Sequence, residues 1–297
     1  MKIKFTKMQG CGNDYIYINS REIEIALEKK AALVRKMSER HFGIGSDGVI
    51  FINPSEQADF EMEMWNADGT RAEMCGNGIR CVAKYVYDKG LTDQKEISVI
   101  SAGKIKYLQL FLQNGTVDTV RVNMGKPELQ PEQIPMQPEK AGTPDTVQRA
   151  DEIRAAGQIV STLIRVKGTD YPVTCVSMGN PHAVIITEDI EHLNLEEIGP
   201  FFEKHECFPK RTNTEFVRVE DRNHVEMRVW ERGTGETLAC GTGCCATAVA
   251  CILNGLTDEQ VTVKLLGGEL LVEWDREKDL VYMTGPAVTV YEGEWQS

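Results

Sequence analysis

At 297 residues the chain can bury a sizeable core as one domain or two, and its composition is that of an ordinary soluble globular protein. A formal net charge of -12 argues against nucleic-acid binding, which needs a basic face to neutralise phosphates. No run approaches the roughly 20 apolar residues of a membrane helix. The start, with Lys2, Lys4 and Lys7 among single apolar residues, is unlike a signal peptide, so a cytoplasmic chain with no membrane partner is expected.

In chain order, residues 31–40 read as an amphipathic helix and 61–65 as a strand. Cys75 then precedes small and apolar residues over 79–87 that suit a buried helix, closed by Gly90 as a C-terminal glycine. Strands at 97–100 and 105–112 follow, with Gly103 in the turn between them. The polar, Pro-rich stretch 127–144 reads as a connection between domains. The pattern then returns: a strand at 225–230, Cys240, a helix over 244–253, Gly255, and strands at 261–266 and 269–274 that turn at Gly268.

This return is an internal repeat at an offset of 165 residues, the separation of Cys75 and Cys240. Phe60-Glu-Met-Glu-Met-Trp65 falls on Val225-Glu-Met-Arg-Val-Trp230, and Cys75-Gly-Asn-Gly78 on Cys240-Gly-Thr-Gly243. Gly90-Leu-Thr-Asp93 falls on Gly255-Leu-Thr-Asp258. A duplication is the simplest account. The expected fold class is α+β, with two pseudo-symmetric domains over 1–125 and 126–285. Each is a mixed β-sheet or barrel wrapped on a central helix, and the active site lies in the cleft between them.

Nine cysteines, an odd number with no C-x-x-C pair, argue for reduced thiols and against a disulfide framework or a metal site. Cys75 and Cys240 stand apart because each sits at a helix start before Gly-x-Gly. Free N–H groups and the positive helix end there should favour the thiolate and offer a carboxylate site. Inverting an amino-acid α-carbon needs a base on one face and an acid on the other, and two thiols supply both without metal or redox cofactor. Cys81, Cys244, Cys245 and Cys251 lie along the helices and read as core. Cys11, Cys175 and Cys207 have no matched partner and read as structural.

The motifs resemble those of the diaminopimelate epimerase family. They are Met8-Gln-Gly-Cys-Gly-Asn-Asp-Tyr15, Trp65-Asn-Ala-Asp-Gly69, Met74-Cys-Gly-Asn-Gly-Ile-Arg80, Met178-Gly-Asn-Pro-His182, Arg211-Thr-Asn-Thr-Glu215, Trp230-Glu-Arg-Gly233 and Glu236-Thr-Leu-Ala-Cys-Gly-Thr-Gly243. The resemblance implies pyridoxal-independent interconversion of LL- and meso-diaminopimelate, on the route to lysine and peptidoglycan. Cys75 and Cys240 would be the acid–base pair, with His182 and Glu231 tuning the thiols. Gly76, Asn77, Gly241 and Thr242 would hold the reacting carboxylate through backbone N–H groups. Asn13, Asn66, Asn180, Asn213, Glu231 and Arg232 would contact substrate, Arg232 being suited to a carboxylate. No cofactor and no metal are implied; a homodimer is, and so is a last strand over 286–297 that returns to the first domain. Two features depart from the family: Gly48 stands where many relatives carry Gln, and residues 127–157 are longer than expected. Three rivals stay open: a proline or hydroxyproline racemase, against which Asn77 speaks because those enzymes tend to carry His there; a dithiol redox or metal-binding protein; and a protein that binds an amino acid without turning it over.

Overall fold

The computed structural model describes residues 2–72 and 75–296; Met1, Glu73, Met74 and Ser297 lie outside the described residues, Met74 among them from the Cys75 motif. By packing, the chain divides into two compact units, Met1–Asn123 with Thr284–Ser297, and Met124–Met283.

The first unit runs through β1 (Lys2–Gly10), β2 (Asn13–Asn19), α1 (Leu27–Ser38), β3 (Gly48–Asn53), β4 (Phe60–Asn66), α2 (Gly76–Asp88), β5 (Glu96–Ser101), β6 (Lys104–Gln113) and most of β7 (Thr116–Gly125). β1 and β2 pair antiparallel, β2 and β3 parallel, β3 and β4 antiparallel, β4 and β5 parallel, and β5 and β6 antiparallel.

The second unit opens with α3 (Pro144–Gln148), α4 (Ala150–Ala156), β8 (Ile159–Val166), β9 (Thr169–Ser177), β10 (Pro181–Ile186) and α5 (Leu195–Glu203). It continues with β11 (Asn213–Val219), β12 (His224–Glu231), β13 (Gly235–Thr237), α6 (Gly241–Leu253), β14 (Gln260–Leu265), β15 (Gly268–Asp275) and the first part of β16 (Leu280–Pro286). Here β9 and β10 pair antiparallel, β10 and β11 parallel, β11 and β12 antiparallel, β12 and β14 parallel, and β14 and β15 antiparallel. The sense of pairing repeats the first unit step by step, and the fold is α+β with mixed sheets.

β9 has one further neighbour, β8, beside it in sequence. The matching neighbour of β1 is β17 (Val288–Gln296), the end of the chain, antiparallel to it from Lys2↔Gln296 to Gln9↔Val288.

Both central helices are buried nearly all round. Every residue from Gly76 to Val86 is buried, as are Gly241 and residues 243–251. Small residues (Gly, Ala, Cys, Thr) let sheet strands approach α6 on all sides, which is why its sequence carries no polar stripe. Gly90 (φ +67°) and Gly255 (φ +69°) end the two helices in the left-handed region, with Leu91 and Leu256 donating back to Val86 and Cys251.

Two sequence expectations differ from the structure. α1 occupies 27–38 rather than 31–40, because Arg40 leaves the helix to bond Asp14 and Asp47 at 2.8 Å each. The stretch 127–144 is no open linker. Ile134, Met136 and Ala141 are buried in one core with Ile159, Phe202, Phe216 and Trp230, and Glu128 bridges to Ser177. Its prolines and polar residues alternate with single apolar ones that the core takes up, a spacing without helix or strand period.

Candidate active site

Each unit builds one half-site from the same parts. Cys75 has an extended backbone (φ -126°, ψ 114°) and caps α2, its sulfur accepting from the Gly78 N–H at 3.3 Å. Cys240 has φ -124° and ψ 109° and caps α6, its sulfur accepting from the Gly243 N–H at 3.4 Å. The thiols thus stand where Ser, Thr or Asp usually cap, so a negative sulfur there would meet a backbone donor and the positive helix end. Gly76 and Asn77, and Gly241 and Thr242, occupy the first turns, where backbone N–H groups have no helical acceptor.

In the first unit Asn13, at the start of β2, lies against Cys75. Its Nδ2 donates to Asp47 Oδ2 at 2.7 Å, which fixes the amide so that Oδ1 faces the thiol and accepts from Cys75 Sγ at 2.9 Å. Asp47 is held in turn by Arg40. Asn66, at the end of β4, bonds Thr70 Oγ1 at 3.1 Å. Asn77 is buried, and its Oδ1 has no hydrogen-bond partner among the described residues. Gly48 lies opposite Asn66 in the β3–β4 ladder. A Cβ there would sit 2.0 Å from the Trp65 carbonyl oxygen, so this backbone accepts no side chain at the position of the relatives' Gln.

In the second unit Asn180 donates to Thr242 Oγ1 at 3.3 Å, and its Oδ1 lies 3.2 Å from His182 Nε2. Thr242 Oγ1 is 3.5 Å from Cys240 Sγ. Glu231 accepts from Thr237 Oγ1 at 2.5 Å. Asn213 is buried with both ends of its amide committed, Nδ2 to the Pro181 carbonyl at 3.0 Å and Oδ1 to the Arg232 N–H at 2.9 Å. It fixes the backbone that carries Arg232. The Arg232 guanidinium is exposed and bonds the Lys210 carbonyl at 3.0 Å, with no carboxylate on it among the described residues.

Two residues that sequence reasoning gave no role belong to these half-sites. Glu215 on β11 is fully buried, its Oε1 2.6 Å from His182 Nδ1 and its Oε2 without a partner among the described residues. Arg80 on α2 is also fully buried; it donates to the Gly76 and Pro286 carbonyls and to Cys11 Sγ, and no described carboxylate pairs with it. A signal for both was present: at the repeat offset Glu215 falls on Ile50 and Arg80 on Cys245.

The environments of the two thiols differ. Burial, then Glu231, then Glu215 push the Cys240 thiol well above its ordinary value, outweighing the bonds from Thr242 and Gly243. The expectation that both helix starts favour thiolate therefore fails at Cys240. Cys81 is pushed up to about 11 and Cys251 to about 12, burial first in each case, as suits inert core thiols. None of the nine cysteines is joined in a disulfide. Among the described residues no helix is long and apolar enough to cross a membrane.

Residues 5–130 and 174–290 match the family model described as diaminopimelate epimerase. The diaminopimelate epimerase of Acetivibrio thermocellus is 51% identical over 98% of this chain and 98% of its own. That of Agathobacter rectalis is 54% identical over 98% of this chain and 99% of its own. The chain belongs to the diaminopimelate epimerase family. A solved structure of a Bacillus anthracis phenazine biosynthesis protein of the PhzF family shares the fold at a TM-score of 0.69, with 15% identity and 100% of both chains covered. The diaminopimelate epimerase match omits 131–173, which holds α3, α4, β8 and the start of β9.

Proposed function

We propose that the chain inverts one α-carbon of 2,6-diaminopimelate, LL to meso and back, with Cys75 and Cys240 as the two proton-transferring groups. As a member of this family it is an isomerase, an amino-acid epimerase. The observation that carries the two-thiol reading is the paired cap. Duplicated helices each place a cysteine sulfur on the third N–H of the first turn, followed by backbone that glycine leaves open.

The α-proton of an amino acid is a very weak acid, so the charge that develops on the carboxylate during its removal must be met by fixed donors. The first-turn N–H groups of Gly76, Asn77, Gly241 and Thr242 are such donors and need not reorganise as the charge builds. One cysteine takes the proton as thiolate while the other delivers its own to the opposite face, and the roles exchange with direction. Asn13, Asn66 and Asn180 supply neutral amides for the ammonium and carboxylate groups, and Arg232 a guanidinium for the distal carboxylate. Asn213 acts by holding Arg232 in place. His182 and Glu231 tune the thiols. No cofactor enters these steps. The reading places the chain in the cytoplasm, in lysine and peptidoglycan precursor synthesis, as a homodimer; its support is the family match, and sedimentation equilibrium tests the last point.

The test is α-proton exchange on diaminopimelate in heavy water without pyridoxal phosphate. Wild type is expected to epimerise with deuterium incorporation, and Cys75→Ala and Cys240→Ala each to lose epimerisation by about 1,000-fold or more. Full activity in either variant would end the two-thiol reading. Comparable exchange on L-proline would end the substrate reading.

A further inference from the structure

The duplication is close in backbone but has been broken in charge, and three of the breaks lie around the cysteines. At the repeat offset Glu215 replaces Ile50 and Glu231 replaces Asn66, so unit 2 carries two carboxylates where unit 1 carries none. The replacement at 215 is visible atom by atom. A Cβ on Gly78 would meet Ile50 Cδ1 at 2.9 Å and Cys75 Sγ at 3.6 Å; one on Gly243 would meet Glu215 Oε1 at 2.8 Å and Cys240 Sγ at 3.2 Å. The same space behind the capped turn is thus filled by a methyl group in one half and a carboxylate oxygen in the other. A third difference has the opposite sign: the buried Arg80 guanidinium in α2 falls on the neutral Cys245 of α6.

We infer that Glu215 is a positioning residue of the Cys240 half-site that, with Glu231, holds the proton on the Cys240 sulfur, so that this cysteine is the thiol in the resting enzyme. The carboxylate of Glu215 is fully buried with one oxygen unpartnered, so its field is screened little by solvent. Cys240 is faced by Glu215 from β11 and by Glu231 from the end of β12, while His182 from β10 and the buried Cys175 of β9 act on Glu215. With the charge of His182 unchanged, replacing the Glu215 carboxylate by a neutral group of the same shape makes this neighbourhood more positive by one charge. After a turnover that leaves Cys240 as thiolate and Cys75 as thiol, the same carboxylates raise the energy of the Cys240 thiolate. It then takes a proton from water while Cys75 releases to water the one it gained, and the site returns to its resting protonation state.

The inference rests on the two-thiol reading, but it is read by chemistry that needs no turnover, so the two can fail separately. The rate of iodoacetamide alkylation of Cys75 and Cys240, followed by peptide mass, is measured against pH in the reduced full-length chain. Its midpoint reports thiol ionisation independently of how accessible each sulfur is. Glu215→Gln is expected to lower the Cys240 midpoint by about one pH unit and to leave that of Cys75 where it was. An unmoved Cys240 midpoint, or an equal shift at both cysteines, overturns the inference. Should that variant not fold, Glu231→Gln decides: a fall in the Cys240 midpoint with that of Cys75 unmoved supports the inference, and an unmoved Cys240 midpoint overturns it.

Discussion

Gly48 shows how one residue can decide what a loop contributes. Its backbone lies so close to β4 that an added Cβ would collide with the Trp65 carbonyl at 2.0 Å, a backbone atom that cannot swing away. Gly48→Ala is therefore expected to cost about 2 kcal/mol or more of stability and to shift Asn66, its ladder partner, which a urea melt and the KM for diaminopimelate would show. A variant as stable as wild type would mean that the β3–β4 pair can part without penalty. Glu63 is the opposite case, a charge retained inside. It accepts from Lys30 at 2.6 Å, Arg71 at 2.7 Å, Trp65 Nε1 at 2.8 Å and Asn53 at 2.9 Å. Burial works to raise its carboxyl, but those donors together hold it below its ordinary value. A carboxyl depressed on folding stabilises the folded chain fully above about pH 4.3, and that stability drains as pH falls through and below this value. Glu63→Gln should cost about 3 kcal/mol at pH 7, because Lys30 is left buried without its charge partner, and should flatten the acid limb of the stability profile. An unchanged acid limb would place that limb on other carboxylates.

At the scale of elements, what could be read from the sequence depended on whether an element shows itself in its own residues. The strands β4 and β12 and the two central helices were legible because the repeat marked them twice, and both cysteines were singled out for the same reason. The caps were legible only as positions; which atoms they hold is set by β2, β3, β10 and β11, strands buried along most of their length, so that burial does not follow an apolar–polar alternation in their residues. Glu215 and Arg80 carry no mark among the identities of the repeat, because their meaning lies in its differences, an acid on Ile50 and a base on Cys245. The segment 127–157 misled for another reason. It has the composition of a linker, yet Ile134, Met136, Ala141 and Ile153 are buried in the core of the second unit. Ile134→Ala should cost about 2–5 kcal/mol, the range for a truncated core residue, whereas a true linker position would cost almost nothing. Chemical denaturation separates the two outcomes.

Among the described residues each unit holds a core of its own, and this governs how the molecule should come apart. One gathers Ile3, Ile16, Val34, Met37, Phe51 and Trp65; the other gathers Ile134, Ile164, Phe202, Phe216 and Trp230. Each set lies within one unit, and in each a tryptophan from the repeat is satisfied by a carboxylate: Trp65 donates to Glu63, and Trp230 to Glu203 on α5, both at 2.8 Å. The chain passes from one unit to the other within β7 and returns within β16, so the second unit is a single run of sequence inserted into the first. Damage to one core should then lower the protection of its own amides first, because local opening exposes the contacts of that core and leaves the other's intact. Phe202→Ala, which removes a fully buried ring packed on Tyr171 and Phe216, is expected to cost about 3–5 kcal/mol. Native-state hydrogen exchange by mass spectrometry should show that loss in β9, β11 and α6 while β1 to β3 keep their wild-type protection. An equal fall everywhere would mean that the two strand crossings couple the cores into one cooperative unit. Cys240 would then be held by the stability of the whole chain, and a core substitution in either unit would weaken both half-sites alike.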